Sequence, residues 1–413
     1  MKEEYQRIFA SFIKRYRKDN GISLRELSKI TDIAHSHLSR MENGLRPIHD
    51  HIAAHIMKSL DIGTYDEAMT DRYKALFDAF YKDIVYKKME DAKKRYQEIQ
   101  DIKEDIEHSI YRYHLELYDL VYKTYFEKKI TDEEMSNLMR DKEEGSYPKR
   151  DMQIIYDIIG VYYKDQRNID KAMHYHDLAI DLDRSSIVAA MSAYHASRMA
   201  YQRKDLMLAH RYIQDALVIF KRENIRSRIL QCKVIIGIIY SALNDDEKAI
   251  DVYLDVINEY TQNRYFDSIL IVAHDLLHSY IRSKKYKEAD DLLLLIEGYG
   301  LDTKDIETSL LILYYAFMRD DEEMFLKWYD RTFKDGTYPE AEALIELLHA
   351  IMIEDIDATK AEELVSKIDI PEEDLNDDEY KTMLDHIMIK VYRKHGLDHK
   401  ALSIYEHHYD KIL

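Results

Sequence analysis

Two groups of polar side chains are spaced to meet a partner rather than a core. His35, Ser36, Ser39 and Arg40 fall on the outward face of a short helical pattern whose Leu38 and Met41 turn inward. Two small hydroxyls let such a helix sit deep in a groove, where His35 and Arg40 can donate to base edges or phosphates. Arg25, Lys29 and Arg46 flank that face and suit phosphate contacts, which position a protein on a duplex without reading its sequence. Far along the chain, Tyr194, Arg198 and Tyr201 share one helical face at i, i+4 and i+7. There a guanidinium could hold a carboxylate while the phenol rings cover apolar side chains.

Charge follows the same division. The 413 residues carry a net charge of −19. Residues 1–60 hold 11 Lys and Arg against 7 Asp and Glu, a balance of +4, which leaves −23 for the rest. A basic head on an acidic body favours nucleic acid at the head alone and repels it elsewhere.

Other chemistry has few residues to support it. With 10 Gly in the chain there is no P-loop, dinucleotide fingerprint or G-x-S-x-G, so an enzyme is not expected. His51 and His55 share a helix face and His174 and His176 lie close together, but no H-E-x-x-H or Cys pair accompanies them. Seam or surface histidines are therefore expected, with no metal and no cofactor. Cys232, the single cysteine, sits among apolar residues and suits a reducing compartment. The N-terminus lacks the apolar run of a signal peptide, and no window approaches 18 apolar residues, so a cytoplasmic chain without a membrane span is expected.

The elements that must position these residues read as helices throughout. Only 4 Pro accompany the 10 Gly, while hydrophobic residues reach 46% and charged residues 34%. Residues 3–19 present Tyr5, Ile8, Phe9, Phe12, Ile13 and Tyr16 on one face and stop at Asn20-Gly21. Ser23 and Glu26 form an S-x-x-E capping box that opens a second helix before Leu27 and Ile30. After Thr31-Asp32-Ile33 a third helix runs from Ala34 to Met41, Asn43-Gly44 ends it, and a fourth covers Ile48 to Leu60. The run Arg17…Gly21-Ile22-Ser23…Glu26-Leu27-Ser28…Ile33…Leu38-Ser39-Arg40-Met41-Glu42-Asn43-Gly44…Arg46 resembles a Cro/C1-type helix-turn-helix domain over residues 1–65. That resemblance implies a structural pair between Arg17 and Glu42. Leu24 departs from it, standing where many members carry a DNA-contacting glutamine.

Beyond a junction at Asp61–Asp71, residues 70–413 are built from one unit. Between Gln153 and Arg184, two amphipathic patterns flank a polar break at Lys164–Asn168. Tyr156, Ile159, Gly160, Tyr163, Ala172, His176 and Ala179 fall at tetratricopeptide spacing. His176 replaces the usual aromatic and Arg184 the closing proline. The small residue opening each second helix recurs as Ala172, Ala209, Ala249 and Ala289, with weaker echoes at Ala92, Met135, Met324, Ala361 and Ala401. The segment resembles a tetratricopeptide array, and the expected fold is all-α: a helix-turn-helix head followed by a right-handed superhelix of about nine hairpins. Breaks are expected at Glu143–Pro148, Asn244–Asp246, Asp335–Pro339 and Ile370-Pro371, and the hairpin near Tyr392–Tyr405 is expected to cap the stack or carry a dimer contact. The 35 Tyr are expected mostly in helix seams. In such arrays the first helix of each repeat lines the concave wall, which here implies Asp157, Lys164, Tyr194, Arg198, Tyr201, Gln231, His274 and His278.

A Cro/C1-type head joined to such a body resembles the peptide-responsive quorum-sensing regulators of Gram-positive bacteria and their phages (the Rap, Rgg, NprR, PlcR and PrgX group). The resemblance implies a homodimeric transcription regulator that meets a palindromic double-stranded operator and answers to a short signalling peptide in the concave groove. A protein-interaction scaffold, or a Rap-like binder of a response regulator with a residual DNA head, is the rival expectation.

Overall fold

Glu3–Asp19 forms α1, and its apolar face is the expected one, with Tyr5, Ile8, Phe9, Phe12 and Ile13 buried. The structure, a computed structural model, describes residues 1–127, 129–144, 147–263, 268–299, 305–332, 336, 338–368 and 377–410. Expected breaks at Gly145-Ser146, Asp335, Thr337 and Ile370-Pro371 lie outside the described residues. Three short helices follow α1: α2 (Leu24–Thr31), α3 (His35–Glu42) and α4 (Asp50–Ser59). Ser23 accepts from the Glu26 amide while the Glu26 carboxylate accepts from the Ser23 amide, so the capping box is complete. Gly21 at φ 66° lets the chain leave α1 in a left-handed turn that a side chain would resist.

Helical pairs then follow in chain order. They begin with α5 (Glu67–Val85) and α6 (Met89–Asp101), a short α7 (Lys103–Glu107), then α8 (Arg112–Tyr122) and α9 (Asp132–Glu144). A π-helical turn, Lys123–Glu127, extends α8. Next come α10 (Lys149–Asp165) with α11 (Ile169–Leu182), α12 (Ile187–Gln202) with α13 (Leu206–Arg222), and α14 (Arg226–Ala242) before α15 (Asp246–Gln262). The last are α16 (Leu270–Arg282) with α17 (Tyr286–Gly298), α18 (Ile306–Met318) with α19 (Glu322–Tyr329), α20 (Pro339–Met352) with α21 (Ala358–Val365), and α22 (Asp377–Lys394) with α23 (Asp398–Asp410). Every regular element among the described residues is helical.

The repeat is written in its turns. Lys87, Arg167, Lys204, Asn244, Lys284 and Asp320 each adopt φ between 55° and 59°. Five residues after each stands Ala92, Ala172, Ala209, Ala249, Ala289 or Phe325, all fully buried. Phe325 therefore occupies the marker position expected of Met324. The residue after the left-handed one caps the next helix in four cases. Asn168, Asp205, Asp245 and Asp321 accept from the amides of Lys171, Leu208, Lys248 and Met324. These caps satisfy amides that the first turn of each helix leaves without an intrahelical partner.

The chain forms two compact units, Met1–Ile239 and Tyr240–Leu413. In the first, the helix-turn-helix segment and the first repeats pack together, because α1 is shared between them. Its Phe12 ring stands 6.0 Å from that of Tyr113 on α8. Gly63, at φ 103°, brings the junction so near His108 that an added Cβ would meet the His108 carbonyl oxygen at 2.3 Å. In the second unit α18 is the central helix, with Leu310 through Phe317 all buried and α16, α19 and α20 packed against it.

Candidate functional site

The third helix is held by its inward residues and presents the others. Leu38, Met41 and Glu42 are buried, whereas His35, Ser36 and Arg40 are exposed and Ser39 is half-buried. Arg25, Lys29 and Arg46 are exposed beside them. His37, which the sequence pattern did not single out, is exposed as well. Glu42 fixes the far end of the helix: Arg17 donates through Nε and Nη2 to its two carboxylate oxygens at 2.8 and 3.0 Å, and through Nη1 to the Ile22 carbonyl at 2.9 Å. This forked pair ties α1 to α3 and raises the pKa of Arg17, chiefly through the Glu42 hydrogen bond. His55 Nε2 lies 2.7 Å from the Thr31 carbonyl, and His51 stacks on His49.

The head is latched to the first repeats. Arg15 lies over the Tyr113 ring, 3.8 Å from its centroid, and donates to Glu116 at 2.7 Å and to the Tyr147 hydroxyl at 3.0 Å. The Tyr113 hydroxyl donates back to Asp19 at 2.9 Å. At the other end of α1, Lys2 and Tyr5 both donate to Asp71. Alongside this seam is a cavity of about 560 Å³ lined by Ile8, Lys74, Tyr81, His114 and Arg150 among others.

The residues expected along a concave wall are not equivalent. On α12, Arg198 is exposed and Tyr194 and Tyr201 are half-buried. Burial raises the Tyr194 pKa, with Arg198 and Arg228 opposing. Gln231 on α14 accepts from Arg228 at 2.8 Å, and Arg228 is itself anchored to the carbonyls of Ile84 and Val85 at the end of α5. Lys164 is exposed and pairs with Asp165. In the second unit, His274 Nδ1 lies 3.3 Å from the Thr308 hydroxyl, and His278 is half-buried on the same helix.

Asp157 requires correction. It does not present a carboxylate to solvent; it is 3% exposed. Its position on α10 faces α12, where Ser192 donates to Oδ1 at 2.8 Å and His195 Nδ1 stands 3.2 Å away. His176 Nδ1 of α11 lies 3.0 Å from the same oxygen. Burial alone would raise the Asp157 pKa, but the facing imidazoles outweigh it and keep the carboxyl ionised well below its usual range. Burial pushes His195 the other way, toward its neutral form. The one sequence signal for this cluster was His176 at a position where an aromatic is usual. Its partners, on neighbouring helices, had no local mark.

Residues 13–64 match the family model described as Helix-turn-helix, so this segment is a helix-turn-helix domain. No curated protein matches the chain. Among solved structures, the apo form of the quorum sensor NprR from B. thuringiensis is similar at 15% identity, covering 84% of this chain and 100% of that one with a TM-score of 0.63. A Rap protein complexed with competence and sporulation factor is similar at 15% identity, covering 82% and 96% with a TM-score of 0.60. Aspartyl phosphate phosphatase F from Bacillus subtilis follows at 14% identity, 80% and 91% coverage and a TM-score of 0.53. The likeness is one of fold, and the body has the tetratricopeptide-like helical repeats of the Rap and NprR structures. No helix among the described residues is long and apolar enough to cross a membrane.

Proposed function

We propose that this chain is a cytoplasmic, non-enzymatic transcription regulator whose operator binding is controlled by a short peptide held by its repeats. The observation that carries the reading is the Arg15 latch: a helix-turn-helix with an exposed third helix is packed onto the first repeats rather than tethered to them. A change in repeat packing then reorients the DNA-reading face, provided the peptide prefers one packing over the other. The exposed Arg198 between Tyr194 and Tyr201 suits a peptide carboxylate with apolar neighbours. Similarity in fold to a quorum sensor and to a Rap protein solved with its factor supports the same reading. Heads of this kind act in pairs, so a homodimer on a palindromic operator belongs to the proposal.

The test is selection of random duplexes by the full-length chain, followed by sequencing and by titration with and without short random peptides. Enrichment of paired half-sites about one helical turn apart, with affinity falling steeply in salt and shifting with a selected peptide, is expected. Failure to enrich any duplex, with capture of a response regulator instead, would favour the scaffold reading.

A further inference from the structure

Asp157, His176 and His195 bring three ligating atoms together inside the first unit, on three successive helices. One ligand atom from each of Asp157, His176 and His195 lies within 4.8 Å of the other two. The two carboxylate-to-imidazole separations are 3.0 and 3.2 Å. A tetrahedral ion with bonds near 2.0–2.1 Å sets its ligand atoms about 3.3 Å apart. His176 is 0% exposed, and neither of its ring nitrogens makes a well-directed hydrogen bond. Buried polar groups left in this way are rare and call for a partner. Gly160 exists to admit the ring: a Cβ there would lie 2.6 Å from His176 Cε1 and Nε2.

Two further groups complete the surroundings. Ser192 donates to Asp157 at 2.8 Å, the kind of outer contact that orients a ligating carboxylate. Burial, and after it the Asp157 charge, raises the pKa of the Tyr125 hydroxyl. It is delivered by the π-helical turn Lys123–Glu127, a distortion that often marks a functional position.

We propose that Asp157, His176 and His195 bind one divalent transition-metal ion of the zinc class. Two imidazoles and one carboxylate select such an ion over calcium or magnesium, which prefer all-oxygen sites. Both rings ligate through Nδ1 as Nε2–H tautomers. The ion staples α10, α11 and α12, next to Tyr194 on the face assigned to peptide.

The experiment uses untagged full-length protein, stripped with a chelator and titrated with Co²⁺ and then Zn²⁺. One equivalent of Co²⁺ with intense tetrahedral d–d absorption, displaced by Zn²⁺ and accompanied by a rise in melting temperature, is expected. His176→Gln and Asp157→Asn each weaken binding by at least about 100-fold, and Ser192→Ala by about 10-fold. His174→Ala, an exposed histidine two residues away, leaves it unchanged. If His176→Gln fails to fold, Asp157→Asn and Ser192→Ala decide the matter. The proposal is overturned if the wild-type chain retains no equivalent of metal, or if Asp157→Asn and Ser192→Ala bind as tightly as wild type.

Discussion

Arg15 of α1 lies over the Tyr113 ring of α8 with 3.8 Å between guanidinium carbon and ring centroid. The contact joins the first helix of the head to the second helical pair of the body. With the Arg15 side chain 10% exposed, a cation–π contact in so dry a setting contributes about 2 kcal/mol, and the hydrogen bond to Glu116 adds to it. Removing the guanidinium also removes its hydrogen bond to the Tyr147 hydroxyl at 3.0 Å.

Arg15→Ala should therefore destabilise the first unit by about 2–4 kcal/mol. Urea denaturation measures the total. Hydrogen exchange locates it: amides of α1 should lose protection first, while those of α18 in the second unit stay as they were. Equal loss throughout the chain would contradict a local latch.

Gly160 on α10 and His176 on α11 form a pair in which one residue is small because the other is large. A methyl at Gly160 would sit 2.6 Å from the imidazole, in a region with no slack. Gly160→Ala should cost about 1–3 kcal/mol. The double variant Gly160→Ala with His176→Ala should recover part of that loss, since the clash vanishes with the ring. Strict additivity of the two single effects in a denaturation cycle would show that the rings and helix do not compete for this space.

How much of this was legible follows from where each signal is stored. Ala172, Ala209, Ala249 and Ala289 are local marks, because an alanine at a helix crossing is required by the crossing itself, and they predicted the pairs correctly. The Ser23–Glu26 box and the Arg17–Glu42 pair lie within one short motif and were equally readable. Arg15 was not, because an arginine on the polar side of an amphipathic helix looks solvated until Tyr113 arrives from about a hundred residues away. Asp157 was misplaced for a related reason. Repeat position tells which face of α10 it occupies, but not that the next repeat lays Ser192 and His195 over it. The π turn that delivers Tyr125 breaks helical periodicity without any glycine or proline to announce it.

His278 gives the second unit a pH dependence of definite sign. Burial lowers its pKa below 6.5, Arg282 lowers it further, and Asp246 only partly opposes them. The unfolded chain takes up the proton at its ordinary pKa of about 6.5, so below that value the unfolded state binds more protons than the folded one. Stability contributed by neutral His278 is thus complete above about pH 6.5 and is lost as the pH falls toward its folded pKa. His278→Gln should flatten the fall in urea midpoint between about pH 7 and pH 5. An identical slope in variant and wild type would mean that His278 is protonated as readily in the fold as outside it.

Arg40 and Arg46 should separate sequence reading from phosphate contact at the head. Both are exposed, but Arg40 stands on α3 itself whereas Arg46 lies in the turn after it, beyond the Glu42 anchor. A side chain on the third helix can reach base edges; one in the following turn is better placed for the backbone. Arg46→Ala should weaken binding to all duplexes alike and reduce the slope of log affinity against log salt by about 0.9, one counterion's worth. Arg40→Ala should cost about 1–3 kcal/mol on the selected operator and much less on unrelated duplex, relaxing preference at a single base pair. Both variants leave the Arg17–Glu42 fork intact, so melting temperatures should not change. If neither substitution alters the salt slope or the preferred sequence, the exposed face of α3 does not meet DNA, and the regulator reading loses its contact surface.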